Sequence, residues 1–279
     1  MAAVAAAFVL LGSASTPGSD PIAQAATLSS TAPGYRMNLA MSIGGSALTQ
    51  PITAYGSAIV DLRDQAESMS LTMDLSGEPA AAQALGSTAM NIRIIQEHGT
   101  VYMRMPATVM RAIPGLGGKQ WLKMDISKIA GAPGLSSLNS DPTISDPSRM
   151  LDYLRAESSS ITNEGYQRID GVQTTHYHAI LDLSNVAANL PPSEQASVQQ
   201  ALSALEQEAG VAGVPIDVWV DAQHLVRRIG MSISLHTANG ASGSVAMTAD
   251  LTDYGAQPQP TLPPDGQVQD LNSLVHIAS

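Results

Sequence analysis

The chain has 279 residues, of which 44% are hydrophobic and only 13% charged, about half the charged share of an ordinary soluble domain. With 13 Lys and Arg against 24 Asp and Glu, its formal net charge is −11, so it lacks the basic footprint of a nucleic-acid binder and an anionic membrane surface repels it. Cysteine is absent, which excludes disulfides, thiolate catalysis and Cys-ligated metals.

Residues 2–11, Ala-Ala-Val-Ala-Ala-Ala-Phe-Val-Leu-Leu, form an uncharged apolar run. It is too short to span a bilayer but fits the apolar part of an export signal, although no positive segment precedes it. Leu10-Leu11-Gly12-Ser13 resembles a bacterial lipobox with Ser where the lipidated Cys stands. Residues 1–19 are therefore read as a signal-like or anchor segment. Attachment to the cell membrane through it is left open. Asp20-Pro21 then reads as an N-cap followed by Pro at the first helical position, with Ile22, Ala25, Ala26 and Ser29 at helical spacing. Ala32-Pro33-Gly34 ends that helix.

Period-two alternation dominates the chain from Tyr35 onward, the mark of strands with one buried and one wet face. Tyr35, Met37, Leu39, Met41 and Ile43 share one face of a first strand, which Gly44-Gly45 ends. A second strand is expected from Ser57 to Leu62, with Ala58, Val60 and Leu62 inward, and a third with Met69, Leu71, Met73 and Leu75 on one face. Glu78 to Ser87 is an Ala-rich excursion, loop or short helix. Met90, Ile92 and Ile94 open a fourth strand, the turn Glu97-His98-Gly99 comes next, and Val101, Met103 and Met105 return as a fifth. Trp121-Leu-Lys-Met-Asp125 is a short sixth.

Residues 106–145 are too rich in Pro, Gly and Ser to be one regular element and read as mobile connections. Asp146-Pro147 caps a helix with Met150, Leu151 and Leu154 as its stripe. A hairpin spans Ser158 to Leu183 around Asp170-Gly171. A helix over 194–209 carries Val198, Leu202, Leu205 and Ala209, with Gly210 as its stop.

Residues 216–235 form the clearest hairpin. Ile216, Val218 and Val220 oppose Asp217, Trp219 and Asp221; after Asp221-Ala-Gln-His224, Leu225, Ile229, Met231, Ile233 and Leu235 oppose Val226, Arg228, Ser232 and Ser234. Val245, Met247, Ala249 and Leu251 make a last strand. Beyond it, residues 256–279 form a Pro-rich tail with a docked turn near Asp270.

Roughly ten strands at short spacing, with helices inserted rather than alternating, indicate one antiparallel meander of the α+β class. We expect a strongly curved antiparallel β half-barrel with helices packed over the concave face, in a single domain over residues 20–255. The 13 Met against 1 Phe fit either an irregular core or a plastic binding surface.

Candidate chemistry is sparse. His176, His178 and Asp182 stand at alternate positions of one strand, but closed zinc sites usually take four ligands and no third His is near in sequence. Asp217 and Asp221 on a polar face read as solvated carboxylates, and Arg227-Arg228 as partners for them across the hairpin. No Gly-x-Ser-x-Gly elbow or phosphate loop is present, and Gly115-Leu-Gly-Gly-Lys119 lacks the required spacing.

Asn163-Glu-Gly165-Tyr-Gln-Arg-Ile-Asp170-Gly171-Val-Gln-Thr-Thr-His176-Tyr177 resembles a motif of actinobacterial envelope lipoproteins of the LppX/LprG type. Pro215-Ile-Asp-Val-Trp219-Val-Asp221 followed by Leu225-Val-Arg-Arg-Ile229 resembles their next signature. The order of elements over residues 20–255, including the Trp121-Leu-Lys segment and the Met-Leu-Tyr-Leu helix, is similar too. That family is similar in fold to the lipoprotein carriers LolA and LolB, a half-barrel closed by helices around an apolar cavity. The resemblance implies an extracytoplasmic carrier or binding protein for acyl-chain lipids or lipoproteins, in the cell envelope or secreted. It implies no catalysis and no cofactor, and a monomer whose partner is a lipid or acylated ligand.

Candidate cavity residues, taken from the apolar strand faces, are Met37, Leu39, Met41, Met69, Leu71, Met73, Met103, Met105, Met231, Ile233 and Met247. The other reading kept open is an envelope sensor or partner-binding module with a filled core and no ligand.

Overall fold

A computed structural model of the chain describes residues 21–46, 48–112, 118–125, 161–182, 213–236, 240 and 242–271. The N-terminal segment, the helices expected near 147–154 and 194–209, and most of the 106–145 stretch lie outside the described residues.

The chain enters through α1 (Pro21–Thr31) and runs through β1 (Gly34–Gly45), β2 (Ile52–Asp61), β3 (Ala66–Asp74), α2 (Pro79–Leu85), β4 (Ala89–Glu97), β5 (Thr100–Arg104), α3 (Ala107–Ala112) and β6 (Trp121–Asp125). A second series comprises β7 (Ile161–Ile169), β8 (Val172–Asp182), β9 (Gly213–Asp221), β10 (Val226–His236), β11 (Ser242–Thr252) and β12 (Val268–Asp270). The strands form one sheet in the order β12-β6-β5-β4-β3-β2-β1-β11-β10-β9-β8-β7. β1–β6 and β7–β11 are each a meander of neighbours, and β1 pairing with β11 joins them. All pairings are antiparallel except β12 on β6. The sheet is strongly curved and does not close, giving the expected α+β half-barrel.

Local chemistry accounts for the boundaries. Pro21 opens α1, and the expected stripe turns inward: Ala25, Ala26 and Ser29 are buried while Thr27 and Leu28 are exposed. Ala25 and Ala26 sit in the main core cluster beside Tyr35, Val226 and Leu251, so α1 covers the apolar face of the sheet. Two-residue turns join β4 to β5 and β7 to β8. They are His98-Gly99, at φ 48° and 76°, and Asp170-Gly171, at φ 48° and 83°. Positive φ at both central residues matches the twist of the flanking strands, which is why Gly stands second in each.

Two expectations are corrected. β2 begins at Ile52 rather than Ser57, because β1 and β3 both offer partners that far, Ile43 opposite Ile52 and Asp74 opposite Thr53. Val226 does not share a face with Arg228. The β9–β10 register shifts between them, and Val226 lies opposite Val220 with no exposed surface. An inserted residue at a bulge reverses the alternation, which strict period-two reading places on the wrong side. The tail also carries a short strand, β12, which pairs with β6 from Val268 opposite Trp121 to Asp270 opposite Lys123, while most of the turn expected from Asp270 onward lies outside the described residues.

The segment leading to β12 is tied down along its course. Gly255 N donates to Gly34 O at 2.9 Å, and Gln120 N donates to Gln267 O at 3.0 Å. Between them, Gln259 Nε2 reaches Asp61 Oδ2 at 2.9 Å and Asp64 Oδ2 at 2.6 Å. At its start the approach is close: a Cβ on Gly34 meets Val60 O at 2.3 Å and Gln257 Cγ at 2.9 Å.

Asp221 locks the β9–β10 hairpin. Its Oδ1 accepts from Gln223 N at 2.8 Å and Leu225 N at 2.9 Å, and its Oδ2 accepts from Arg227 Nε at 2.6 Å. The carboxylate side chain is 1% exposed. Arg227 also lies 5.5 Å from the Tyr254 ring, whose hydroxyl donates to Val226 O at 2.6 Å. Asp221→Ala therefore leaves a half-buried guanidinium and two backbone donors without their acceptor, and is expected to cost about 3 kcal/mol in urea unfolding. Gly34→Ala is expected to lower stability by roughly 2 kcal/mol in the same measurement, since the clash is with backbone and has no easy relief.

Candidate functional site

The register places most of the candidate residues on one face of the sheet, and in rows. One row runs Ile161, Ala179, Ile216, Met231, Met247, Met41, Ala54, Met73, Met90 across neighbouring strands. The next carries Tyr177, Val218, Ile229, Ala249, Leu39, Gly56, Leu71 and Ile92. A third carries Leu251, Met37, Ala58, Met69, Ile94, Met103 and Leu122. Ile233 stands in a further row with Val245, Ile43 and Ile52. Met105 falls outside the rows; it comes after β5 and packs with Met110, Leu122 and Leu271 in a second cluster.

Burial divides this inner face. On the β9–β11 side Ile216, Val218, Ile229, Met231, Met247 and Leu251 are buried in the main core. On the side of β1 and β3–β5, Met41, Ile43, Leu71, Met73, Ile92 and Met103 are only half-buried. β2 explains part of this difference. Its three central inner positions, between Ile52 and Val60, are Ala54, Gly56 and Ala58, flanked by Met41, Leu39 and Met37 on β1 and by Met73, Leu71 and Met69 on β3. Long side chains on both sides of a small-residue strand leave a furrow above β2. Ala54 and Ala58 are buried at its floor, at 1% and 2% exposure, while Met41, Met69 and Met73 along its walls are half-buried. Unbranched thioether side chains with three rotatable bonds suit walls that must reshape.

The outer face carries the polar groups. His176 Nε2 and His178 Nδ1 both contact Asp217 Oδ1, at 2.7 and 3.0 Å. Their carboxylate is thus the cross-strand Asp217, and the side chain of Asp182 lies outside the described set. The His176 ring stacks on Trp219 at 4.3 Å and 4°, and Trp219 Nε1 donates to Gln167 Oε1 at 2.7 Å. Asp217 and Asp221 do not act as a pair, since Asp221 faces its own turn. Arg227 takes Asp221 as expected, whereas Arg228 takes Asp250 of β11, directly opposite it.

The Arg228–Asp250 contact is bidentate, and the hydrogen bond to Asp250 raises the Arg228 pKa above its ordinary value against the opposing effect of burial. Arg228 also lies 5.9 Å over the Trp219 ring. Each charged or aromatic group here has a partner, and among the described residues no group of three or more His, Asp or Glu is placed to hold a metal ion. The arrangement is a cross-strand clasp over β8–β11. The pairing of His176 and His178 with Asp217, missed in the sequence, is legible only given the β8–β9 register.

No protein-family model matches the chain, and no curated protein matches it in sequence. Among solved structures it is similar to the lipoprotein LppX of Mycobacterium tuberculosis, with 12% identity over 86% of this chain and 99% of that one and a TM-score of 0.44. It is similar to LprF of Mycobacterium bovis, with 12% identity over 88% and 94% of the two chains and a TM-score of 0.41. It is also similar to a LolA superfamily protein of Nitrosomonas europaea, with 8% identity over 88% and 96% and a TM-score of 0.30.

If the outer cluster is a clasp, Asp217→Ala should behave as a loss of two partly exposed hydrogen bonds. The expected cost is about 1 kcal/mol in chemical denaturation, with near-UV dichroism reporting a loosened Trp219.

Proposed function

We propose that the chain is a non-catalytic, extracytoplasmic carrier or binding protein for acyl-chain lipids or lipoproteins, taking the acyl chain along the inner face of the half-barrel. The observation that carries this reading is the methionine-walled furrow over β2, apolar on floor and walls, with Met41, Met69 and Met73 half-buried along it. The export-like run at residues 2–11 and the two lipoprotein-like motifs in β7–β10 support it.

Transfer free energy supplies the mechanism. Each buried CH₂ contributes about 0.8 kcal/mol, so a chain of some fourteen carbons gains roughly 10 kcal/mol on leaving water, before the cost of ordering it. A bilayer offers nearly the same gain. A carrier therefore needs a site about as apolar as a membrane and tolerant of chain shape, rather than a set of specific polar contacts. Half-buried Met41, Met69, Met73 and Met103 meet that requirement.

Native mass spectrometry of the full chain, purified without detergent and exposed to lipid extract, tests the reading. Retained lipid masses are expected, and Met41→Asp with Met73→Asp should abolish loading, since each introduces a charge into the wall. Where that variant does not fold, Ala54→Leu fills the floor of the furrow and should shorten the chains retained. Failure to load any lipid, in a protein shown to be folded, sinks the proposal and leaves the filled-core sensor or partner-binding module.

A further inference from the structure

Four of the 13 Lys and Arg of this acidic chain line one cavity. Arg93, Arg104, Arg111 and Lys119 surround a space of about 930 Å³, and among the described residues no carboxylate lines it. The cavity exists because β5 is short. Its last residue, Arg104, stands opposite Arg93, so residues 89–92 of β4 have no strand partner on that side among the described residues. α3 and the segment at Gly118–Gln120 border the opening instead. Its lining is two-sided: Arg93 and Arg104 belong to the outer face, whereas Leu71 and Ile92 belong to the inner rows, and Met105 and Met110 close it from the α3 side.

The placement of the cations is costly without a ligand. Arg93 and Arg104 are directly opposed across an antiparallel pair, where like charges repel. Neither they nor Arg111 make an ion pair among the described residues. Lys119 is held in place by one hydrogen bond, from Nζ to Gly266 O at 2.7 Å, which leaves two of its ammonium donors for another acceptor. Elsewhere on the same sheet the chain does supply carboxylates to its arginines, as Asp221 to Arg227 and Asp250 to Arg228. Around this cavity four cations gather without a carboxylate among the described lining residues, in a protein of net charge −11.

We propose that this cavity binds a phosphate group, with Arg93 and Arg104 as a paired guanidinium clamp and Lys119 and Arg111 closing from the far wall. Building on the acyl-chain reading, the ligand is an anionic amphiphile whose phosphate sits between these cations while its chain runs along Leu71 and Ile92 onto the inner face. The chain's overall negative charge disfavours docking on an anionic bilayer, but four cations gathered around one cavity act together on a phosphate within a few ångströms of them. Guanidinium groups also match phosphate geometry with two parallel donors each.

The test titrates dioctanoyl phosphatidylglycerol, dioctanoylglycerol and inorganic phosphate separately into the full chain by isothermal calorimetry. The two lipids share their chains and differ in the charged headgroup. Phosphatidylglycerol is expected to bind, and R93Q/R104Q should weaken it by about tenfold or more while leaving dioctanoylglycerol unchanged. Inorganic phosphate binding with the same dependence on the arginines, and no gain from the lipid chains, supports the site with free phosphate as its ligand. Equal affinity for the two lipids in wild type, with phosphate and phosphatidylglycerol both indifferent to R93Q/R104Q, overturns the proposal while leaving acyl-chain binding in place. Conversely, arginine-dependent phosphate binding in a protein that takes up no lipid sustains the cation site and removes the carrier reading. If the double variant does not fold, R111Q and K119Q carry the same test, each with an expected loss of roughly threefold.

Discussion

β1 and β11 pair from Arg36 opposite Thr252 to Gly45 opposite Gly243, and this ladder makes one sheet of two meanders. Residues 46–241 lie between the two strands, so the pairing carries a large loop-closure cost that must be offset where it forms. The offset is visible in the register. Met37 meets Leu251, Leu39 meets Ala249, Met41 meets Met247 and Ile43 meets Val245, all on the inner face. Because side chains alternate with period two, a slip of one residue would turn the inner face of one meander outward against the other. At the far end the ladder tightens: a Cβ on Gly44 would come within 2.7 Å of Ser244 Oγ, so glycine there lets the strands stay in register to their tips.

From that joint the two halves differ in how they use the same face. The β7–β11 meander brings bulky aliphatic residues together under α1, and they pack to dryness: Ile216, Val218, Ile229 and Leu251 are at most 1% exposed. The other meander alternates large and small across strands instead of along them, with β2 contributing Ala54, Gly56 and Ala58 between longer neighbours. Packing at native density requires facing volumes to match, and a small-residue strand between two methionine-bearing ones leaves volume that the sheet alone does not fill. The β9–β11 side thus packs into one core with Tyr35, Met37, Ala58 and Val60 of the first meander, whose Met41, Met73, Ile92 and Met103 stay half-buried. The outer face reinforces this division, since the His176–Asp217–Trp219 and Arg228–Asp250 contacts clasp the packed half, on β8 to β11.

Much of this architecture is legible in the sequence because a one-sided strand writes its burial into alternate letters. The run Tyr35-Arg-Met-Asn-Leu-Ala-Met states both that β1 is a strand and which side is apolar. What alternation does not carry is register, and the features that depend on register are the ones missed. Asp217 is far from His176 and His178 in sequence, and only the β8–β9 pairing brings it to both rings. Arg93 and Arg104 look like ordinary surface charges until the His98-Gly99 turn sets them opposite one another. The bulge before Arg228 has no residue signature of its own, so Val226 reads as polar-facing although it is fully buried. Val268-Gln-Asp is too short to show any period, and pairs because the tail is already fixed on either side, at Gly266 by Lys119 and at Leu271 by Lys123 O.

A sheet of this size that stays open exposes two edges, each a template for another chain. The chain treats them differently. At one edge β12 covers β6 but is only three residues long and parallel, so the outermost ladder is short. At the other, β7 is interrupted by a bulge between Asn163 and Gly165, where Asn163 Oδ1 accepts from Gly165 N at 2.8 Å and Gly165 adopts φ 97°. Such a kink twists the edge away from a flat partner. Closing β12 onto β7 would have removed both edges, at the expense of sealing the inner face. An open sheet with blunted edges leaves its inner methionine rows to be covered by something other than a closing strand.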